Sequence, residues 1–171
     1  MKSSAKSKPN GIRFFPSSST LARHPDPDGV VAIHGELTVS TLLEAYRAGI
    51  FPWPTEIFTN PHEPPITVLL WFCPRTRAIL EFKNLYVNRT LKKIFQKNKI
   101  TGELRFTENQ AFDQVIEACA NAPRPRSAGT WITPDMIRAY KELFRAGYAR
   151  SIEVWNSENS LVGGIYGVEV D

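Results

Sequence analysis

The chain of 171 residues is long enough for roughly one ordinary domain with a well-buried core, which excludes a large multidomain protein. Hydrophobic residues make up 42% and aromatic residues 11% of the sequence, and this composition excludes the disordered, collagen-like and low-complexity classes. The net charge of +4 permits a polyanionic partner without requiring one.

The N-terminal part of the chain is expected to be a frayed terminus, and its Ser-rich, acid-poor composition leaves a transit peptide open as the alternative. Residues 1–28 are rich in Ser, Pro and Lys and are predicted to form a flexible lead without the apolar stretch of a secretory signal. No apolar run approaches the ~18 to 20 residues that span a bilayer. Cys73 and Cys119 have no Cys-x-x-Cys companion, and the three histidines have no metal-ligand spacing. We therefore expect a soluble, cytoplasmic protein that binds neither a membrane nor a metal.

The first periodic element is predicted to be a helix over residues 38–48. Apolar residues recur at helical spacing from Val39 to Tyr46, Thr38 can cap the N-terminus, and Gly49 stands where a helix C′ glycine belongs. This helix is expected to bury one apolar stripe.

The run GIFPWP at residues 49–54 follows this helix, and its two prolines argue against regular structure. Its large apolar side chains are expected either in a core between domains or in a ligand pocket. Residues 55–65 contain three further prolines and are predicted to form a linker. We therefore predict an N-terminal subdomain over residues 29–63 and a second domain over residues 64–171.

The second domain is predicted to begin with two strands, over residues 66–72 and 76–82, followed by a short helix. Residues 83–105 contain seven basic side chains against one acidic side chain, Glu103. This segment is either a phosphate-binding face or a solvated helix surface, and the sequence leaves both readings open.

The remaining elements have clear local signals. Residues 103–107 alternate like a strand, and a capping box of Thr107 and Gln110 predicts a helix over residues 108–121. Thr133 before Pro134 predicts the start of a further helix that ends near Gly147. Residues 151–155 and 161–170 are predicted to form a hairpin.

Two features near the C-terminus have both a functional and a structural interpretation. Trp131 lies two residues before a predicted helix N-cap, so its indole can form an apolar wall beside free backbone amides, or it can simply belong to the core. The GGIYG run at 163–167 lacks the strand-turn-helix context of a nucleotide-binding loop, and its glycines are typical of a bulge or a close backbone approach.

Five blocks of the sequence together resemble one family. They are GVVA at 29–32 with GEL at 35–37, AYRAGIFPW at 45–53, GTWIT at 129–133, SIEVW at 151–155 and LVGGIYGV at 161–168. In this order they resemble the leucyl/phenylalanyl-tRNA–protein transferase family, and the resemblance extends over residues 29–168. Five blocks in register are far more specific than any one of them.

The resemblance implies an aminoacyltransferase of the bacterial N-end rule pathway. Such enzymes transfer Leu or Phe, and less readily Met, from an aminoacyl-tRNA to proteins that begin with Arg or Lys, which marks them for degradation. The reaction uses no metal or redox cofactor. The implied fold is of the α/β (α+β) class, a small N-terminal α/β domain followed by an acetyltransferase-like (GNAT) domain, of which this chain has the first half.

The resemblance also assigns roles to individual residues. It implies that the pocket for the aminoacyl end contains Tyr46, Trp53, Trp131, Tyr140 and Ile165. The basic segment gains a role in tRNA-backbone binding, for which the candidates are Arg89, Lys92, Lys93, Lys97 and Lys99. The general base stays unassigned.

The family pattern continues through a Gly-Glu-Ser-Met-Phe segment, a long helix and a strand bearing the Asp and Gln assigned to catalysis, and these lie beyond Asp171. We therefore expect a C-terminally shortened homologue. Two alternatives to an active enzyme stay open. One is a non-catalytic module that binds an aminoacyl-tRNA end or a protein N-terminus. The other is an inactive truncated product, or one that completes its sheet with another chain.

Overall fold

The computed structural model describes residues 29–33, 35–123 and 130–170. The described part is mixed α/β, as predicted, with two antiparallel three-stranded sheets, four α-helices and a 3-10 turn at Phe82–Asn84. In chain order the elements are β1 (Val30–Ile33), α1 (Val39–Arg47), β2 (Phe51–Ile57), β3 (Ile66–Phe72), α2 (Arg89–Thr101), β4 (Arg105–Glu108), α3 (Phe112–Asn121), α4 (Pro134–Arg145), β5 (Ala149–Trp155) and β6 (Leu161–Val168).

The first sheet has the strand order β1-β3-β2, and β2 overturns one prediction. The proline-containing run, expected to be irregular, pairs with β3 along its whole length, from Phe51 opposite Phe72 to Ile57 opposite Ile66. An edge strand needs donors towards its neighbour from only every second residue. The two prolines lie two residues apart, so both missing N–H groups can fall on the side that faces away from β3.

The segment after β3 also differs from its prediction. Residues 76–82 form no strand; a loop leads from β3 to the 3-10 turn, and its apolar side chains Ile79, Leu80 and Phe82 are exposed. No strand in the described ranges lies beside this segment to accept its backbone hydrogen bonds. β3, which was predicted to open the second domain, pairs with β1 and β2. The boundary between independently folding units stays a prediction.

The second sheet has the order β4-β5-β6 and contains the predicted hairpin. β5 and β6 pair from Ala149 opposite Val168 to Trp155 opposite Leu161, with an irregularity at the Trp155 end. Helices α3 and α4 pack on the inner face of this sheet, where Tyr140, Phe112 and Met136 are buried. These side chains share one core cluster with Leu42 from α1 and Trp71 from β3, so the two sheets are joined by a common core.

Two of the three predicted helix starts are confirmed. The hydroxyls of Thr38 and Thr133 accept hydrogen bonds from backbone N–H groups in the first turns of α1 and α4. The capping box predicted for α3 is wrong: Thr107 lies inside β4, α3 begins at Phe112, and its N-cap Ala111 has no capping side chain.

A buried carboxylate supplies the acceptor that α3 lacks. Glu153 in β5 is fully buried, and its Oε1 accepts hydrogen bonds from the Ala111 N–H (3.3 Å) and the Ser151 hydroxyl (2.5 Å). Its Oε2 accepts a hydrogen bond from the Thr107 hydroxyl (2.5 Å), which itself accepts one from Trp155 Nε1 (2.8 Å). Burial alone raises the pKa of Glu153, but hydrogen bonds that favour the charged form outweigh it and hold the pKa below its ordinary value. Glu153 thus joins β4, β5 and the N-terminus of α3.

The contact between α3 and β6 requires a glycine at position 164. A Cβ atom at Gly164 would lie 2.8 Å from Val115 Cγ2 and 3.1 Å from Val115 Cγ1. We predict that Gly164→Ala lowers the free energy of unfolding by about 1 to 3 kcal/mol, measured by urea unfolding. Val115→Ala in the same chain should recover part of this loss. Equal stabilities of Gly164→Ala and the parent would contradict the close packing.

Candidate functional site

Two tryptophans from distant parts of the sequence stack on each other. Trp53 in β2 and Trp131, just before α4, have ring centres 5.2 Å apart and planes inclined by 14°. Phe51 meets the edge of Trp53 at 6.3 Å and 72°. Trp53 keeps 40% of its surface exposed, and Trp131 is half-buried against the core. The stack is therefore a flat apolar surface that a ligand from solvent can reach.

The loop before α4 holds Trp131 in place. The Ile132 N–H donates to the Thr130 hydroxyl (3.1 Å), and the Thr133 N–H donates to the Trp131 carbonyl (3.1 Å). Thr133 then caps α4 through its hydroxyl. This local network fixes the backbone on either side of the indole.

Tyr46 and Tyr140 form a second aromatic pair, which joins α1 to α4. Their hydroxyls share a hydrogen bond, and their rings meet edge to face at 6.4 Å. Burial raises the pKa of both hydroxyls; for Tyr46 the hydrogen bond from Tyr140 and the charge of Arg77 partly oppose this. Tyr140 also meets the ring of Tyr166 edge to face at 5.8 Å. Both tyrosines are therefore neutral at physiological pH, and they are suited to hydrogen bonding and not to accepting a proton.

Ile165 lies apart from these four aromatic residues. It pairs with Ile152 across the β5–β6 ladder, on the face of the sheet opposite to that of Tyr166, and it is 66% exposed. The structure thus brings four of the five predicted pocket residues together in two pairs. Ile165 lies apart from both pairs.

The five predicted tRNA-binding residues lie on α2. All five are exposed, and within the described ranges only Lys97 forms an ion pair, at 3.0 Å to Glu103. The helix is fixed to β4 by the side chain of Asn98, which bonds both backbone groups of Leu104, and by stacking of Phe95 on Phe106 at 5.9 Å. No residue of α2 is buried, and its basic residues point to solvent, as an electrostatic surface for phosphates requires.

The described residues also contain a cleft of about 450 Å³ beside the N-termini of α1 and α4. Its lining includes the capping residues Thr38 and Thr133 together with Arg138, but neither tryptophan of the stack. No three His, Cys, Asp or Glu side chains of the described residues are grouped so that they could hold a metal ion. No helix among the described residues is both long and apolar enough to cross a membrane.

Comparison with models of protein families shows which family the chain matches. The model of the leucyl/phenylalanyl-tRNA protein transferase family matches residues 79–171, more than half of the chain. The model of the N-terminal domain of the same family matches residues 35–75. The chain belongs to the leucyl/phenylalanyl-tRNA–protein transferase family. The family predicted from the five sequence blocks is confirmed.

Several curated leucyl/phenylalanyl-tRNA–protein transferases are similar to the chain. The protein of Pseudoalteromonas atlantica is 49% identical over 92% of the chain and 59% of its own length. That of Pectobacterium carotovorum is 45% identical over 92% of the chain and 63% of its own length. That of Maridesulfovibrio salexigens is 44% identical over 86% of the chain and 57% of its own length. The chain thus spans roughly three fifths of these transferases.

The sequence of this transferase family member does not indicate which residues support the tryptophan stack. The sequence indicates Phe51 only as an apolar side chain and gives no sign of a role for Arg77. Yet Arg77 donates a hydrogen bond to the Gly49 carbonyl, and its guanidinium carbon lies 5.4 Å from the centre of the Phe51 ring. No local pattern marks such a contact, because the partners lie on opposite sides of β3 in the sequence.

Proposed function

We propose that the chain acts in aminoacyl transfer, moving Leu or Phe, and less readily Met, from an aminoacyl-tRNA to proteins with N-terminal Arg or Lys. The observation that carries the proposal is the partly exposed stack of Trp53 on Trp131 in a member of this family. The stack offers the flat apolar surface that an aromatic side chain, an aliphatic side chain without a branch at Cβ, or the terminal adenine can cover. Family membership supplies the aminoacyl-tRNA as the source of that ligand.

The chemistry of the stack fits the expected selectivity. Apolar contact alone distinguishes related side chains by only ~1 to 3 kcal/mol, so a preference for Leu and Phe over Met is graded and not absolute. We propose Tyr46, Trp53, Trp131 and Tyr140 as residues of this pocket. Ile165 is proposed on the strength of the sequence resemblance alone, as a residue that meets the ligand apart from the two aromatic pairs.

The proposed reaction is aminolysis of an ester. The unprotonated α-amine of the acceptor attacks the ester carbonyl, a C–N bond forms, the ester C–O bond breaks, and the terminal ribose hydroxyl of the tRNA leaves with a proton. The described residues contribute binding and orientation of the aminoacyl end. The neutral Tyr46 and Tyr140 hydroxyls do not serve as the general base. The Asp and Gln implied by the resemblance belong to the family pattern beyond Asp171.

We further propose the setting that the family resemblance implies. The two-domain layout, with an N-terminal subdomain over residues 29–63 and part of an acetyltransferase-like domain over residues 64–171, places the stack between the two domains. The activity would serve the N-end rule degradation pathway in the cytoplasm. Each aromatic pair takes one ring from residues 29–63 and one from residues 64–171.

The basic face of α2 is proposed to bind the tRNA backbone. Reversing two of its charges, in Lys92→Glu/Lys93→Glu, should weaken tRNA binding and reduce the slope of log K against log salt by about 1 to 2. Filter binding at several salt concentrations measures this slope. Arg145→Glu/Arg150→Glu changes the net charge equally at exposed positions outside α2 and should leave the slope nearly unchanged. If both double variants reduce the slope equally, α2 is an ordinary solvated surface.

A single-turnover assay tests the proposed transfer. Purified protein is mixed with tRNA charged with labelled leucine and with a peptide that begins with Arg, and a peptide that begins with Ala is the control. The proposal predicts label in the Arg peptide and none in the Ala peptide. A folded protein that transfers no leucine to either would contradict it.

A non-catalytic capture module is the second candidate, and one observation favours it. Among the described residues, the tyrosine pair is neutral and the one fully buried carboxylate, Glu153, is enclosed by hydrogen bonds. The described pocket can therefore hold an aminoacyl end, while none of its own groups is poised to deprotonate the acceptor. Tight binding of charged tRNA without transfer would favour this candidate.

A further inference from the structure

Arg77 lies in the loop after β3 and contacts the segment that joins α1 to β2. Its Nη2 donates a hydrogen bond to the Gly49 carbonyl, and its planar guanidinium covers the ring of Phe51 with the central carbon 5.4 Å from the ring centre. Gly49 has a φ of +75°, and a Cβ there would lie 3.8 Å from the same Nη2. One exposed side chain thus holds the backbone turn after α1 and the first side chain of β2.

Phe51 transmits these contacts to the tryptophan stack. Its ring stacks on Phe72 across the strand pair at 6.1 Å and meets the edge of Trp53 at 6.3 Å. Trp53 is therefore restrained on one face by Trp131 and at its edge by Phe51. Because this indole keeps 40% of its surface in solvent, only part of its surface is packed against the protein.

We propose that Arg77 is a positioning residue for the stack: it fixes Phe51 and the turn after α1 so that Trp53 lies flat against Trp131. The geometry calls for arginine and not simply a positive charge, because only a planar guanidinium covers an aromatic ring and bonds a carbonyl at the same time. The identity of the ligand that the stack binds rests on the proposed function. The positioning of Trp53 by Arg77 does not depend on that function.

The proposal is tested by circular dichroism of the stacked indoles. Two stacked indoles couple excitonically and give a paired positive and negative band in the far-ultraviolet. Subtracting the spectrum of Trp53→Phe from that of the parent isolates this couplet, and the same subtraction is made in an Arg77→Met background. We expect the couplet of the Arg77→Met protein to fall by about half or more, because both a hydrogen bond and a cation–π contact are lost. Arg77→Lys should retain an intermediate amplitude.

Two further variants keep the test decisive. Arg75→Met alters an exposed arginine of the same loop that has no hydrogen bond, ion pair or ring contact to any residue described by the structure, and it should leave the couplet unchanged. Phe51→Leu removes the ring that links Arg77 to Trp53 and should reduce the couplet as Arg77→Met does, so it serves if Arg77→Met does not fold. An unchanged couplet in either Arg77→Met or Phe51→Leu overturns the proposal.

A binding measurement separates this proposal from the proposed function. An amide-linked phenylalanyl adenosine is titrated into the parent and into Arg77→Met, and we expect binding to weaken by about three- to tenfold in the variant. If the couplet falls as expected while the parent fails to bind the analogue, the positioning role stands and the proposed function fails. If the analogue binds the parent and the couplet does not change in Arg77→Met, the proposed function stands and the positioning role fails.

Discussion

Replacing Trp131 with alanine should weaken the binding of an amide-linked leucyl adenosine by about ten- to a hundredfold, the effect of removing one stacking aromatic surface. Trp131 supplies one of the two stacked indoles, and its loss also removes the support for one face of Trp53. Isothermal titration calorimetry measures the dissociation constant directly. Because Trp131 also touches the core, each variant is first shown to unfold cooperatively.

Two controls separate stacking from a general loss of apolar surface. Trp131→Phe keeps a ring against Trp53 and should weaken binding by less than about fivefold. Phe58→Ala removes an exposed aromatic side chain just beyond the end of β2 and should have no effect. If folded Trp131→Ala binds the analogue as tightly as the parent, Trp131 is a core residue and not a ligand-binding one.

Glu153→Gln should lower the free energy of unfolding by about 2 to 3 kcal/mol, because it disrupts a buried and fully satisfied carboxylate network. The amide oxygen can still accept a hydrogen bond from the Ala111 N–H or from a hydroxyl. The amide NH₂ replaces the second carboxylate oxygen, so it points at a hydrogen-bond donor and has no acceptor of its own. Urea unfolding at neutral pH measures the loss. Glu158→Gln, in the exposed turn of the β5–β6 hairpin, is the matched control and should change stability little.

The same carboxylate makes stability depend on pH in a defined direction. The folded state lowers the pKa of Glu153 from its ordinary value of 4.5, so folding is favoured by the charged form. Its contribution is fully present above about pH 4.5 and is lost as the pH falls below that value towards the lowered pKa. The difference in stability between the parent and Glu153→Gln should therefore be constant near neutral pH and shrink in acid. A difference that grows on acidification would contradict the network.

Local signals in the sequence were sufficient to predict the helices that have a periodic apolar face and a capping residue, and the C-terminal hairpin. Thr38 and Thr133 cap the helices that follow them, and the β5–β6 hairpin forms between two apolar runs, because in each case the decisive contacts lie within a few residues. Strand β2 was not predicted, because tolerance of its prolines depends on its position at the edge of a sheet. The start of α3 was misplaced because its acceptor, Glu153, comes from a strand 42 residues away.

The candidate site could be predicted as a set of residues but not as an arrangement. Family resemblance named the residues of both aromatic pairs, yet the hydrogen bond between Tyr46 and Tyr140 joins residues 94 positions apart, and no local pattern encodes it. The resemblance also placed Ile165 in the pocket, while strand alternation puts it on the other face of β6 from Tyr166. Arg77 became visible only through its contacts with Gly49 and Phe51.

The central claim is that the stack of Trp53 on Trp131 recognises the aminoacyl end of a tRNA, and comparing charged with uncharged tRNA tests it most directly. The dissociation constants of the parent protein are measured for an amide-linked phenylalanyl-tRNA and for the same tRNA without its amino acid. The account predicts that the charged form binds at least about tenfold more tightly, and that Trp131→Ala abolishes this difference while leaving the salt dependence unchanged. Equal affinity of the parent for the two forms would contradict it.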